Sequence, residues 1–126
     1  MYELKVTSGF SSAHALKGYN GKCENIHGHN WQVELITVSD MLNDIGLVID
    51  FKLLKKYLNE IMEMLDHKFI NEIDFLNGLN PSAENIARLI YEEFEKKIKV
   101  GKYVNISVKR INVYETASSM ASYYKS

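Results

Sequence analysis

The stretch HGHNWQVELITV, residues 27–38, decides the fold because its side chains alternate in character. Successive side chains of a β-strand point to opposite faces of a sheet, so this alternation predicts a half-buried strand. One face would carry the aromatic, aliphatic and imidazole side chains of His27, His29, Trp31, Val33 and Leu35. Two imidazoles about 7 Å apart along one strand face can close on a single metal ion.

A second alternating segment precedes this strand, at residues 2–14. Its apolar face is formed by Tyr2, Leu4, Val6 and Phe10. His14 has the parity of that face, so the segment predicts another half-buried strand that ends on a histidine. All three of these histidines are therefore expected on apolar strand faces.

Two amphipathic helices are predicted after the strands. Asp50 is expected to cap the first helix, which ends near Asp66 and His67, and Ser82 is expected to cap the second. The first buried stripe is predicted to be Phe51, Leu54, Leu58, Ile61 and Leu65. The second is predicted to be Ile86, Leu89, Ile90, Phe94 and Ile98.

Residues 103–116 return to a strand whose apolar parity changes along its length. Val104, Ile106 and Val108 have even numbers, whereas Ile111, Val113 and Glu115 have odd ones. The change predicts a β-bulge near Lys109–Arg110 and places Glu115 on the apolar side. Residues 121–125 are expected to add a short strand. The order ββααββ predicts an α+β fold, an antiparallel sheet with both helices on one face.

Size and composition narrow the classes of function. The 126 residues are expected to form one domain, residues 1–126, with a hydrophobic core. A formal charge of −1 argues against a broad electrostatic surface for nucleic acid or for a membrane. A single cysteine, no signal-peptide pattern in residues 1–10 and no membrane-length apolar run indicate a cytoplasmic protein.

The three histidines His14, His27 and His29 form a candidate zinc site, because three protein ligands with an open fourth position are common in catalytic zinc sites. Core histidines that only bond to backbone are the alternative, but burying three imidazoles without a partner is costly. Cys23 precedes His27 by four residues and fits either of two roles, a fourth ligand or a reactive thiol. The residues alone leave both roles open.

Four other polar residues are candidates with a simpler alternative each. Asp66 and His67 fit an acid–base pair in which the carboxylate sets the imidazole tautomer, or a helix C-terminus stabilised by a cationic histidine. A carboxylate on an apolar strand face needs a partner, so Glu115 would face a Lys or Arg, or a ligand with paired N–H donors. Glu84, in the first turn of the second helix, is most simply a residue that compensates the helix dipole.

Six motifs in this order resemble the family of 6-pyruvoyl-tetrahydropterin and 6-carboxy-tetrahydropterin synthases, nearly from end to end. The motifs are Phe10-Ser11-Ser12-Ala13-His14, Cys23-x-x-x-His27-Gly28-His29, Gly46-Leu47-Val48-Ile49-Asp50-Phe51, Leu65-Asp66-His67, Asn80-Pro81-Ser82-Ala83-Glu84-Asn85 and Val113-Tyr114-Glu115-Thr116. The resemblance implies the tunnelling fold, a ββααββ unit with a four-stranded sheet. It also implies homo-oligomers, trimers or hexamers, with active sites between subunits.

The resemblance assigns roles to the candidate residues. Zinc would be held by His14, His27 and His29. The catalytic residues would be Cys23 and His67, with Asp66 in support. Glu115 would anchor the pterin, with Glu84 near the same ring. The implied reaction converts dihydroneopterin triphosphate to 6-carboxytetrahydropterin, the precursor of queuosine.

Glu24 keeps a second reaction open. Some family members use a glutamate three residues before the first histidine of His-Gly-His, and they cleave dihydroneopterin to 6-hydroxymethyl-dihydropterin for folate. Glu24 occupies that position, directly after Cys23, so the chain is either directed to one branch or dual, unless Glu24 is a plain surface residue. A non-catalytic pterin-binding module with Cys23 closing the zinc site is the alternative from another class.

Overall fold

The computed structural model describes residues 1–18, 25–76 and 78–126 and contains a four-stranded sheet and two long helices. The strands are β1 (Tyr2–His14), β2 (His27–Ser39), β3 (Ser107–Thr116) and β4 (Ser119–Tyr123). The helices α1 (Phe51–Leu65) and α2 (Ala83–Val100) lie between β2 and β3, with short 3₁₀ turns at Ile70–Glu72 and Asp74–Leu76. The predicted order ββααββ is therefore confirmed.

The sheet is antiparallel throughout and its strands follow one another in chain order. In the pairing of β1 with β2, Phe10 lies opposite Trp31 and His14 lies opposite His27. Because side chains alternate along each strand, this register places the apolar side chains of both strands on one face. Both helices cover that face, with α1 mainly against β1 and α2 against β3 and β4.

Capping side chains set the start of both helices where the sequence predicts it. The Asp50 carboxylate accepts a hydrogen bond from the Lys52 N–H, and the Ser82 hydroxyl accepts one from the Asn85 N–H. Each helix buries one stripe against the sheet. The buried stripe of α1 contains Leu54, Leu58, Ile61 and Leu65, and that of α2 contains Ile86, Leu89, Ile90, Phe94 and Ile98.

Three sequence-based expectations at the ends of elements need correction. The last strand was expected at residues 121–125, but β4 spans Ser119–Tyr123. Phe51 is 54% exposed, because it is the first residue of α1 and lies beyond the part of the helix that the sheet covers. Val104 is 89% exposed, because β3 begins only at Ser107 after a turn that follows α2. Both residues extend an apolar periodicity beyond the element that produces it.

The bulge predicted near Lys109–Arg110 is confirmed. Ile36 of β2 pairs with Arg110, but the next residue, Thr37, pairs with Val108. Lys109 is therefore the extra residue of β3, and the bulge moves the buried parity of this strand from even to odd numbers. As a result, Glu115 comes to the covered face of the sheet.

The chain after α1 fastens itself to the free edge of β1. The Ser11 N–H donates to the Asp66 carboxylate at 2.8 Å, the His67 N–H donates to the Ser11 carbonyl at 2.6 Å, and the Ala13 N–H donates to the Lys68 carbonyl at 3.1 Å. These bonds tie the end of α1 to the histidine-bearing end of β1. Neither described helix has the length and apolar character that crossing a membrane requires.

Candidate metal centre

Three histidines and one glutamate meet at the end of the sheet that carries His14. Nitrogen atoms of His14, His27 and His29 and a carboxylate oxygen of Glu115 all lie within 4.8 Å of one another. The imidazole centroids are separated by 4.5 Å for His14 and His27, 4.8 Å for His27 and His29, and 5.4 Å for His14 and His29. Such a donor set, three imidazoles and one carboxylate, is one that binds zinc and related divalent ions.

Strand pairing brings these side chains together. His14 is the last residue of β1 and lies opposite His27, the first residue of β2, while His29 lies opposite Ser12. His27 and His29 point to the same face because they are two residues apart on one strand. The histidine cluster is thus a product of register, and a slip of one residue would disperse it.

Backbone carbonyls fix the tautomers of two of the histidines. The Nδ1 atom of His14 lies 2.7 Å from the Pro81 carbonyl oxygen, and the Nδ1 atom of His27 lies 2.7 Å from the Asn25 carbonyl oxygen. A carbonyl only accepts, so each Nδ1 carries the proton and donates it. The lone pair of each ring is then on Nε2, the arrangement that metal-ligating histidines commonly have.

The buried nitrogens of the cluster test whether a metal fits. His14 Nε2 and His29 Nε2 are both buried and have no hydrogen-bond partner among the described residues. Buried polar atoms in proteins are nearly always paired, and an unpaired one costs about 1–3 kcal/mol. An ion held by His14, His27 and His29 would give both nitrogens a partner, so the residues fit a metal.

Trp31 packs against the cluster from the core side. Its ring lies edge to face with His14 at 4.9 Å and with His29 at 5.4 Å between centroids, and it stacks on Phe10 at 5.6 Å. The Trp31 Nε1–H donates to the Ser12 carbonyl at 3.2 Å. Trp31 is itself buried, so it forms the core side of the cluster.

Two asparagines, Asn71 and Asn80, hold the chain just beyond His14, and we refer to them as the asparagine brackets. Each side-chain amide accepts from the N–H and donates to the carbonyl of one residue: Asn71 pairs with Ala15 at 2.9 and 2.7 Å, and Asn80 pairs with Lys17 at 2.9 and 2.8 Å. They replace the strand neighbour that this segment lacks. The brackets therefore fix the backbone that carries His14.

The predicted acid–base pair is formed, but separately from the cluster. Asp66 Oδ2 lies 2.9 Å from Nδ1 of His67, whose side chain is 82% exposed. Hydrogen bonding from the Ser11 N–H, and then the neighbouring His67, lower the pKa of Asp66 below its usual value of 3.8. His67 has a φ of 54°, a left-handed backbone that turns its ring outward at the edge of β1.

The remaining predicted residues differ in what the structure says of them. Glu84 is exposed in the first turn of α2, three residues after Pro81. Cys23 and Glu24 lie outside the described residues. The brackets and Trp31 were not singled out by the sequence, although Asn80 belongs to one of the quoted motifs; only pairing across distant segments reveals their roles.

A cleft lies elsewhere in the described part of the chain. It has a volume of about 680 Å³, is lined by residues of α2, β3 and β4 such as Arg88, Lys99 and Tyr123, and contains none of the predicted site residues. Volume alone does not identify a site. The cluster at the end of β1 has the chemistry that the cleft lacks.

Burial makes the cluster sensitive to acid. Burial lowers the pKa of His14 below its usual value of 6.5, and this effect outweighs the hydrogen bond to the Pro81 carbonyl, which raises that pKa. The unfolded chain therefore binds more protons than the folded one just below pH 6.5, so stability falls as the pH drops through that window. We expect the free energy of unfolding of the metal-free protein to decrease by at most about 1.4 kcal/mol per pH unit there.

Urea denaturation at pH values from about 5 to about 7.5 measures this slope. His14→Gln should flatten it, whereas His67→Gln, outside the cluster, should leave it unchanged. Asp66 and Glu34 also have lowered pKa values, Glu34 because its carboxylate accepts a hydrogen bond from Asn112. These carboxylates change the free energy of unfolding only at pH values below their usual pKa values of 3.8 and 4.5, outside the measured range. An equal slope in His14→Gln and the wild type would contradict the prediction.

Comparisons with known proteins agree with this architecture. A family model described as 6-pyruvoyl tetrahydropterin synthase matches residues 3–126. The 6-carboxy-5,6,7,8-tetrahydropterin synthase of Synechocystis is 32% identical over 129 residues, covering 98% of this chain and 94% of the relative. The human 6-pyruvoyl tetrahydrobiopterin synthase is 32% identical over 107 residues, covering 82% and 70%.

A solved structure gives the same fold. The 6-pyruvoyl tetrahydropterin synthase of Caenorhabditis elegans superposes with a TM-score of 0.85, over 99% of this chain and 96% of that chain, at 22% identity. At this level of sequence identity, the match supports the fold alone. It identifies the four-stranded sheet with two helices as the tunnelling fold.

Proposed function

Because the chain belongs to the 6-pyruvoyl tetrahydropterin synthase family, we propose that it is a zinc-dependent lyase that converts 7,8-dihydroneopterin triphosphate to 6-carboxy-5,6,7,8-tetrahydropterin. The match to the family model confirms the family that the six motifs predict. The chain is an enzyme of the tetrahydropterin synthase type. The product, the metal and the substrate are parts of the proposal, since relatives named for the 6-carboxy and for the 6-pyruvoyl product both reach 32% identity, over 98% and 82% of this chain.

The metal in this proposal rests on one observation: the buried Nε2 atoms of His14 and His29 have no hydrogen-bond partner among residues 1–18, 25–76 and 78–126. His27 completes the set, with its Nδ1 proton held by a carbonyl and its Nε2 free to bind. A zinc ion held there would supply Lewis acidity to the oxygens of the substrate side chain, which makes the neighbouring C–H more acidic.

The other residues are proposed to move protons and to orient the pterin. The Cys23 thiolate removes the proton from that C–H, and His67 exchanges protons with the substrate, with its ring held by Asp66. Glu115 accepts the paired N–H donors of the pyrimidine edge, and Glu84 lies near the same ring. With one water consumed, the substrate gives 6-carboxytetrahydropterin, acetaldehyde and triphosphate.

The position of His67 supports a site completed by a second copy of the chain. Its ring is 82% exposed and is not among the residues that converge at the cluster. A catalytic imidazole in that position needs a neighbouring subunit to bring it to a substrate. We therefore propose a homo-oligomer, a trimer or hexamer, with residues 1–126 of each chain as one catalytic domain.

The proposed product suggests a pathway, and the cysteine content suggests a compartment. 6-Carboxytetrahydropterin would serve queuosine or other deazapurine synthesis, and the single cysteine fits the reducing cytoplasm. The second candidate is cleavage to 6-hydroxymethyl-dihydropterin for folate, favoured by Glu24 three residues before His27. Glu24 beside Cys23 offers a second acid–base group, and it also permits a dual activity.

Product analysis tests the proposed function. We expect the zinc-loaded protein to convert dihydroneopterin triphosphate to 6-carboxytetrahydropterin and acetaldehyde. Cys23→Ala should lower the rate by about 10²–10⁴-fold, as loss of an acid–base group does, while Glu24→Gln retains the product. Chromatography with mass detection measures both.

Three outcomes would contradict parts of the proposal. No product from any dihydropterin would overturn the catalytic function. Retention of 6-carboxytetrahydropterin formation by Cys23→Ala would remove the thiolate base. A Glu24-dependent yield of 6-hydroxymethyl-dihydropterin would assign the chain to the folate branch.

A further inference from the structure

Glu115 sits against the histidine cluster more closely than a residue reserved for substrate would require. Its Oε1 atom lies 2.9 Å from His29 Nε2 and 3.9 Å from His14 Nε2. Around a tetrahedral zinc ion, donor atoms about 2.0–2.1 Å from the metal are roughly 3.3 Å apart. The two separations lie on either side of this value, and the carboxylate oxygen is within 4.8 Å of the ligand atoms of all three histidines, so Glu115 is close enough to share an ion with them.

The contact between Glu115 and His29 does not have the geometry of a hydrogen bond. His29 Nε2 is buried and has no hydrogen-bond partner among the described residues, although a carboxylate oxygen lies 2.9 Å away. A lone pair on a neutral imidazole that faces a carboxylate oxygen is repelled by it. A cation between the two atoms would remove the repulsion and bind both.

The backbone at Glu115 is built to aim this side chain. The pairing of β3 with β4 passes from Tyr114 opposite Met120 to Thr116 opposite Ser119, so Glu115 is the residue left over. An unpaired residue at a bulge can turn its side chain without breaking a ladder of hydrogen bonds. The side chain is also 29% exposed, so it reaches solvent on one side and the cluster on the other.

We propose that Glu115 alternates between two partners. Without substrate it is the fourth ligand of the metal held by His14, His27 and His29, and a pterin draws it away by offering paired N–H donors. The identity of the second partner rests on the proposed function. The exchange opens the fourth metal position only when a pterin is present.

The exchange follows from what one carboxylate can bind. Paired N–H donors engage both oxygens in parallel hydrogen bonds, and such a fork competes with coordination of a metal by either oxygen. A closed four-ligand site holds its metal firmly, whereas catalysis needs an open position. The differential affinity of Glu115 for its two partners would therefore couple recognition of the pterin ring to opening of the site.

Cobalt binding tests the first half of the proposal. We expect Glu115→Gln to raise the dissociation constant for Co²⁺ in the absence of pterin by at least about tenfold, measured by chelator competition. Glu34→Gln, a matched control on the opposite face of the sheet, should bind Co²⁺ like the wild type. Circular dichroism of the metal-free variants checks that both fold, and Glu115→Asp, with a shorter reach, should also bind Co²⁺ more weakly.

The visible absorption of bound Co²⁺ tests the second half. Unsubstituted pterin, which carries the ring edge but no side chain to cleave, should change this absorption in the wild type and leave it unchanged in Glu115→Gln. Equal Co²⁺ affinity in Glu115→Gln and the wild type would overturn the proposal. A wild-type absorption that pterin does not alter would overturn the exchange.

These results are distinguishable from a failure of the proposed function. Turnover of dihydroneopterin triphosphate without any pterin-induced change in absorption would overturn the exchange and leave the lyase function standing. Weakened Co²⁺ binding by Glu115→Gln in a protein that converts no dihydropterin would overturn the lyase function and support the ligand role of Glu115.

Discussion

Replacing His14 with glutamine is expected to abolish stoichiometric metal binding, from about one zinc ion per chain to less than about 0.1 after dialysis. His14 is 1% exposed, and its Nδ1 proton is held by the Pro81 carbonyl so that Nε2 faces the cluster. Glutamine occupies a similar volume but offers no imidazole lone pair in that direction. Elemental analysis of the purified protein measures the loss.

His67→Gln is the matched control for this experiment, because it makes the same change at a histidine outside the cluster. It should retain the metal content of the wild type. Full zinc occupancy in a folded His14→Gln protein would contradict the assignment of His14 as a ligand. Loss of zinc from both variants would point instead to a general effect on assembly.

The second large effect is expected on turnover. His67→Gln should lower kcat for 6-carboxytetrahydropterin formation by about 10²–10⁴-fold while zinc content stays unchanged. Asp66 remains ionised because the Ser11 N–H and His67 lower its pKa, so it holds the His67 Nδ1 proton and leaves Nε2 to exchange protons. Steady-state kinetics on the zinc-loaded variant measures the loss.

Asp66→Asn separates orientation from proton transfer at this pair. We expect it to shift the pH profile of kcat, because an amide does not stabilise a protonated imidazole as a carboxylate does. Lys68→Gln changes the next residue of the same segment and should leave the profile in place. A wild-type rate in His67→Gln would remove His67 from the proposed chemistry.

The sheet and helices were predictable because their signals are local. The alternation at residues 27–38 predicted β2, and the change of parity in residues 103–116 predicted the bulge at Lys109. Both signals are visible because a strand shows its period of two directly in the sequence. The ends of these elements were harder to predict. Phe51 and Val104 continue the pattern past the packing contact, and only the tertiary structure determines where that contact stops.

The histidine cluster was predictable from parity because His14, His27 and His29 lie on two paired strands. What the residues did not reveal was the approach of Glu115 to the cluster, which depends on the second bulge between β3 and β4. The hydrogen bond from the Ser11 N–H to the Asp66 carboxylate could not be predicted either, since the two residues are 55 positions apart. Long-range geometry of this kind leaves no periodic trace in a single sequence.

The asparagine brackets have a consequence for how such a protein diverges. Asn71 and Asn80 bind the backbone of Ala15 and Lys17, so the chain beyond the end of β1 is held by residues outside positions 19–24. A replacement of that segment would then alter the acid–base group that we propose at Cys23 or Glu24 and leave the hydrogen bonds around His14 in place. If the proposed roles hold, reaction outcome and metal retention can change independently of each other.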